Sequence, residues 1–157
     1  MPYSEQFLRE AIRLSHEKME AGEGGPFGAV VVKDGQIVGR GWNCVTSAND
    51  PTAHAEVGAI RDACSNLGTF TLAGCEIYAS CEPCPMCLSA IYWARLDALY
   101  FAGSQSDAAD AGFDDSFLYK EVALKTEERE LKSEQHLQPE ARAVFESWKN
   151  KPDRIDY

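Results

Sequence analysis

A three-layer α/β/α fold, with a mixed sheet of about five strands and helices on both faces, is predicted by three observations. Asp34-Gly35 separates two apolar runs, which signals an antiparallel hairpin. Residues 75–102 alternate strand, helix and strand, and two short strands joined by a helix form a parallel pair. Segments with apolar residues at helical spacing precede, separate and follow these strands.

Taken in order, Phe7, Leu8, Ala11, Ile12, Leu14, Ser15 and Met19 recur at helical spacing between Ser4 and Glu20. They predict an amphipathic helix with one buried stripe and Ser4 as its N-cap. Gly22, Gly24, Gly25 and Pro26 end it, and the valine-rich Phe27 to Lys33 reads as a strand. Gln36 to Trp42 is its hairpin partner. The polar stretch Asn43 to Thr52 is a loop that delivers His54 to the start of a helix running to about Ser65. Cys75 to Ala79, Pro85 to Arg95 and Ala98 to Ala102 form the strand–helix–strand unit. Ser104 to Gly112 suits a short helix, and Phe113 to Leu124 fits helix or extended chain equally. Leu131 marks a short last strand. Pro139 to Lys149 is a final helix with Ala143, Val144, Phe145 and Trp148 inward, followed by a tail.

With 157 residues, 45% of them hydrophobic, residues 1–157 are expected to form one domain with a continuous core. No basic leader precedes an apolar stretch and no run is long enough to span a bilayer, so a cytoplasmic protein with no membrane association is expected. A net charge of −10 without Lys/Arg clusters argues against a nucleic-acid partner and for a small, weakly charged substrate.

The chemistry concentrates in Ser80-Cys81-Glu82-Pro83-Cys84-Pro85-Met86-Cys87 and in His54-Ala55-Glu56. Imidazole and thiolates are zinc ligands, and His54, Cys84 and Cys87 supply three, leaving a fourth position for water. Pro85 suits the first position of a helix, which makes Cys84 the N-cap and puts Cys87 on the same face. Residues two apart on an ideal helix diverge, so His54 and Glu56 share a site only if His54 stands where the helix is still bending. Rival readings draw on Cys81: a four-ligand structural zinc site, or a redox pair from the overlapping C-x-x-C spacings. Neither uses an acid two residues from the histidine, and the catalytic reading stands ahead of both. In it Glu56 takes a proton from the metal-activated water. Cys81 is then a small buried residue, Cys44, Cys64 and Cys75 are core or partly exposed thiols, and His16 and His136 are surface residues.

The H-x-E and P-C-x-x-C pattern resembles that of the zinc nucleobase deaminases of the cytidine-deaminase-like superfamily. Within it the chain is similar to the small bacterial guanine deaminases, on Gly25-Pro26-Phe27-Gly28, on 49–56, on Ile91-Tyr92-Trp93-Ala94-Arg95, on 111–117 with its Gly-Phe-Asp-Asp, and on the terminal Tyr157. This resemblance implies one zinc per chain and hydrolytic conversion of guanine to xanthine and ammonia in purine catabolism. It also implies that Phe27 stacks on the purine, Asn43 hydrogen-bonds its edge, Asp115 accepts from its N–H donors and Trp93 walls the pocket. The tail, about 150–157 and ending in Tyr157, is expected to close the site of a neighbouring subunit in a homodimer. Alternative substrates are guanosine, cytosine or cytidine, and tRNA adenosine. A non-catalytic structural zinc module is the alternative of a different class.

Overall fold

The computed structural model describes residues 2–157. These divide into two compact units, one up to Tyr119 and the other Lys120–Tyr157.

The first unit is built on β1 (Gly28–Lys33), whose Ala29, Val30, Val31 and Val32 have no exposed surface. Because side chains alternate along a strand, Val30 and Val32 face one layer while Ala29 and Val31 face the other. A turn through Asp34 and Gly35, both with positive φ, leads into β2 (Gln36–Trp42), antiparallel to β1. Gly35 is suited to such a turn because it lacks the Cβ that makes positive φ costly. On its other side β1 pairs antiparallel with β3 (Cys75–Cys81), and β3 pairs parallel with β4 (Ala98–Gly103). The order β2-β1-β3-β4 makes the predicted mixed sheet with four strands rather than about five. Leu131, expected to mark a further strand, lies in a bend within a charged stretch and is exposed.

Helix α1 (Glu5–Glu20) covers one face, packing Phe7 and Leu14 against Val30, Val32 and Tyr78. Ile12, expected in the buried stripe, is exposed. Ser4 occupies the N-cap position, but its side chain makes no capping bond; its backbone N–H donates instead to the Tyr78 hydroxyl at 3.2 Å. After a single turn of helix, α2 (Val45–Ala48), come α3 (Ala55–Leu67) and, following β3, α4 (Pro85–Trp93). These two cover the opposite face. Ala55, Ala59 and Ala63 of α3 join Ala29, Val31, Ile77, Ala79 and Ile91 in one cluster. The approach of α3 is unusually close: a Cβ on Gly39 would stand 2.5 Å from the Ala59 carbonyl oxygen, and one on Gly41 would collide with the carbonyl of Ala55.

Beyond β4, α5 (Gln105–Asp110) has a capping box in which Ser104 and Asp107 bond reciprocally. Helix α6 (Ser116–Ala123) resolves the ambiguous stretch and carries the chain across the unit boundary. In the second unit a 3₁₀ turn (Thr126–Glu128) precedes α7 (Gln138–Lys149). Val144, Phe145 and Trp148 were expected to face inward on this helix. They are 68%, 67% and 40% exposed, because no described residue of this unit is buried and it offers them no core.

Candidate active site

Two helix starts converge to make the site. The loop before α3 is set by local bonds: Asn49 adopts the left-handed region, and Asp50 Oδ1 accepts from both the backbone N–H (2.8 Å) and hydroxyl (2.7 Å) of Thr52. The His54 N–H donates to Thr52 O at 2.8 Å, and His54 becomes the N-cap of α3 with φ −79° and ψ 157°. That extended backbone at the cap is the bend that lets His54 and Glu56, two residues apart, reach one cavity. Cys84 caps α4 with Pro85 behind it, and Cys87 follows in the first turn. Both helix N-termini favour negative charge where the thiols and Glu56 lie.

His54 Nδ1 stands 3.6 Å from Cys84 Sγ and 3.6 Å from Cys87 Sγ. The fit to zinc can be tested from this. With Zn–S near 2.3 Å and Zn–N near 2.0–2.1 Å, a tetrahedral angle places sulfur and nitrogen about 3.6 Å apart. The three donor atoms all lie within 4.8 Å of one another, and among the described residues this is the group of metal-ligating side chains so placed. The donor set and its spacing therefore fit zinc, with Cys81 outside the set. Cys81 is half-buried rather than buried, and its thiol faces the Ser104 carbonyl at 3.6 Å.

Cys84 is held low, to about 4, by a hydrogen bond from Cys87 with help from His54, while Cys87 is pushed up by Cys84 and by burial. Hydrogen bonding to Cys84 raises His54 against the opposing effect of burial. Burial raises Glu56, which is 7% exposed, above the ordinary carboxylate range. Asp115 is also raised by burial and then by the charge of Cys84.

These groups open onto a cavity of ≈ 360 Å³ lined by Phe27, Asn43, His54, Glu56, Cys84 and Asp115 among others. The volume suits a small flat ligand. Asn43 Oδ1 accepts two backbone N–H groups, those of Gly25 and Val45, each at 3.1 Å. That fixes the amide orientation, because only the oxygen can accept, and the Asn43 NH₂ is left to donate. Asp115 presents an acceptor. Phe27 is braced edge-on by Phe113, with ring centroids 5.0 Å apart at 86°. Among the described residues no Lys or Arg lines the cavity.

Trp93 is not in this lining; it borders a separate cleft with Ser89, Tyr92 and Arg95. Six residues beyond Cys87 on a helix of about 3.6 residues per turn, it lies roughly 120° around the axis from the ligand. Tyr157 belongs to the second unit and is 77% exposed. Gly25, Val45, Thr46, Pro51, Glu82, Ala108 and Phe113 also line the cavity, with no part assigned to them from the sequence. Phe113 sits beside the Asp pair, and its signal was that adjacency. Glu82 lies between two cysteines and accepts from the Gln105 backbone and side-chain N–H groups, both at 3.3 Å. Ala108 carries no sequence signal at all.

Comparison with known proteins agrees with this geometry. Over 153 residues, 98% of each chain, the sequence is 54% identical to the guanine deaminase of Bacillus subtilis. The X-ray structure of guanine deaminase from that organism superposes with a TM-score of 0.96 at 52% identity, covering 99% of both chains. A tRNA-specific adenosine deaminase of Aquifex aeolicus is 44% identical over 62% of this chain and 64% of its own. The family described as the cytidine and deoxycytidylate deaminase zinc-binding region matches residues 1–103. With its ligand set, its cavity and its fold all in agreement, this chain belongs to that zinc-binding deaminase family.

Proposed function

We propose that the chain is a zinc-dependent aminohydrolase that converts guanine to xanthine and ammonia in purine catabolism. The observation that carries this reading is the whole-length likeness to a guanine deaminase, C-terminal tail included, on a cavity with a buried carboxylate beside the three-ligand set. The absence of Lys and Arg among the described lining residues disfavours tRNA, whose phosphates would need such side chains.

His54, Cys84 and Cys87 hold one zinc, which when bound acts as a Lewis acid and acidifies water at its open position. The remaining steps belong to the chain's own side chains. Glu56 takes a proton from the attacking water, and burial raises its proton affinity, which makes it the stronger base for that step. It gives that proton to the ring nitrogen beside the reacting carbon, then takes the second proton from the added oxygen and passes it to the amine. The C–O bond forms first, at the carbon that bears the amine, and the C–N bond breaks as the added oxygen becomes the carbonyl, so water and guanine become xanthine and ammonia. Phe27 stacks on the ring. Asn43 donates to a ring acceptor, and Asp115 accepts from ring N–H or amino donors. A substrate without donors there would leave this half-buried carboxyl without a partner on the ring.

The chain works as a homodimer in which the tail, about 150–157 with Tyr157, closes the neighbouring subunit's cavity. Supporting this, the apolar Val144 and Phe145 of α7 are exposed within one chain. Trp93, 64% exposed and outside its own chain's cavity, would reach a pocket only across such a boundary. Six free cysteines support a reducing, cytoplasmic setting. Among the described residues no helix is long and apolar enough to cross a membrane. The deciding experiment is ammonia release by the zinc-loaded protein from guanine, guanosine, cytosine, cytidine and adenine. Turnover of guanine above the others is expected. Preference for another member of the panel would reassign the substrate, and no turnover at all would favour a structural zinc module.

A further inference from the structure

We propose that Tyr119 is a positioning residue for Asp115, tying the segment that carries this acceptor to the loop that carries the zinc ligand Cys84. The inference rests on the reading of Asp115 as the group that accepts from the substrate.

Pro83 is the residue before Cys84. Pro83 is fully buried, so its carbonyl needs a donor from the protein. Tyr119 supplies one: its hydroxyl donates to Pro83 O at 2.8 Å, across thirty-six positions of sequence. The backbone N–H of the same tyrosine donates to the carbonyl of Asp115 at 3.1 Å, closing the first turn of α6. One residue therefore bonds both to Asp115 and to the peptide that leads into the metal ligand.

This tie matters because of what lies upstream of it. Gly112, Phe113 and Asp114 are exposed and Gly112 has φ +96°, so apart from the edge-on contact of Phe113 with Phe27 the approach to Asp115 has little packing of its own. It is pinned at its start by Phe113 N–H donating to Ala108 O at 2.8 Å. The Asp114 carboxylate caps locally by accepting from Ser116 N–H at 2.9 Å. Neither bond reaches the metal loop. The Tyr119 hydroxyl is the link that refers Asp115 to Cys84, and a carboxylate displaced by even 1 Å reads a flat base poorly.

Tyr119→Phe removes only the hydroxyl. In the full-length, zinc-loaded protein it is expected to raise KM for guanine about five- to tenfold, with kcat changed less and zinc content unchanged. In an Asp115→Ala background the same change should alter kcat/KM less than twofold, because there is no carboxylate left to position. Equal losses in both backgrounds, or a fall in kcat accompanied by lost zinc, would overturn the proposal. A second measurement does not depend on turnover. Hydrogen exchange should speed up at residues 112–119 in Tyr119→Phe and stay as it was in α1. Unchanged exchange at 112–119 overturns the tie. If the parent protein has no guanine activity, the substrate reading falls and the exchange result still decides the link.

Discussion

His54 Nδ1 and Cys84 Sγ, thirty residues apart in sequence, stand 3.6 Å from one another because each residue is the N-cap of its own helix. About one zinc per chain is expected, by elemental analysis, in the purified protein. Cys84→Ala or Cys87→Ala should empty the site, and Cys81→Ala should leave it filled. Loss of metal from Cys81→Ala would mean that four ligands, not three, hold it.

Glu56→Gln keeps the shape of the side chain but removes its ability to carry a proton. Turnover should fall by several orders of magnitude while zinc stays bound, and near-normal rates at matched zinc content would take Glu56 out of the mechanism.

The same carboxylate has a signature in stability. Its folded proton affinity is raised by burial, so between the ordinary glutamate value and the raised one the folded chain holds more protons than the unfolded chain. Stability contributed by this group therefore falls as pH rises through that window, and the charged form is a standing cost above it. In metal-free protein, melting followed from pH 4 to pH 8 should decline less steeply for Glu56→Gln than for the parent. Parallel curves would show that the burial of Glu56 carries no such cost.

Asn43 tests the polarity of the cavity. Asn43→Asp retains acceptors for the N–H groups of Gly25 and Val45, so the fold should hold, yet it exchanges the inward donor for another acceptor. Guanine kcat/KM is expected to drop by one to two powers of ten with little change in melting temperature. Asn43→Leu should instead destabilise, because the part-buried N–H groups of Gly25 and Val45 lose their shared acceptor. If Asn43→Asp turns over guanine normally, the amide does not touch the substrate.

For Asp115→Ala, a rise in KM and a loss of one to two powers of ten in kcat/KM are expected at intact zinc content, the worth of a charge-assisted hydrogen bond at roughly 1.5–3 kcal/mol. Deletion of Ile155-Asp156-Tyr157 should lower activity without unfolding the chain. A silent Asp115→Ala would undercut guanine itself, whereas a silent truncation would undercut only closure by the tail.

Much of this architecture was legible because local and global signals coincide. The Val30-Val31-Val32 run is buried on both faces, Asp34-Gly35 makes the turn its residue types favour, and Pro85 starts α4. His54 and Glu56 also had to meet at a cap for geometric reasons alone. Other features depend on packing that no local pattern encodes. The apolar residues of 113–124 suit either secondary structure until Tyr119 finds Pro83. Leu131 reads as a short last strand and the apolar side of α7 as inward-facing on hydrophobicity alone, but their unit buries no described residue. Cys81 and Ala108 come to the cavity through the parallel pairing of β3 with β4 and the placement of α5, which sequence spacing does not report.

The bare backbone at Gly39 and Gly41 bears on how this site can be diversified. Gly41 lies under the carbonyl of Ala55, the residue next to the ligand His54, so any side chain there would lift the start of α3 and carry the imidazole with it. A library meant to broaden substrate range should hold both glycines and the facing alanines constant. Its randomised codons belong at Val45, Thr46 and Ala108, which border the cavity without bearing on the helix that sets the metal.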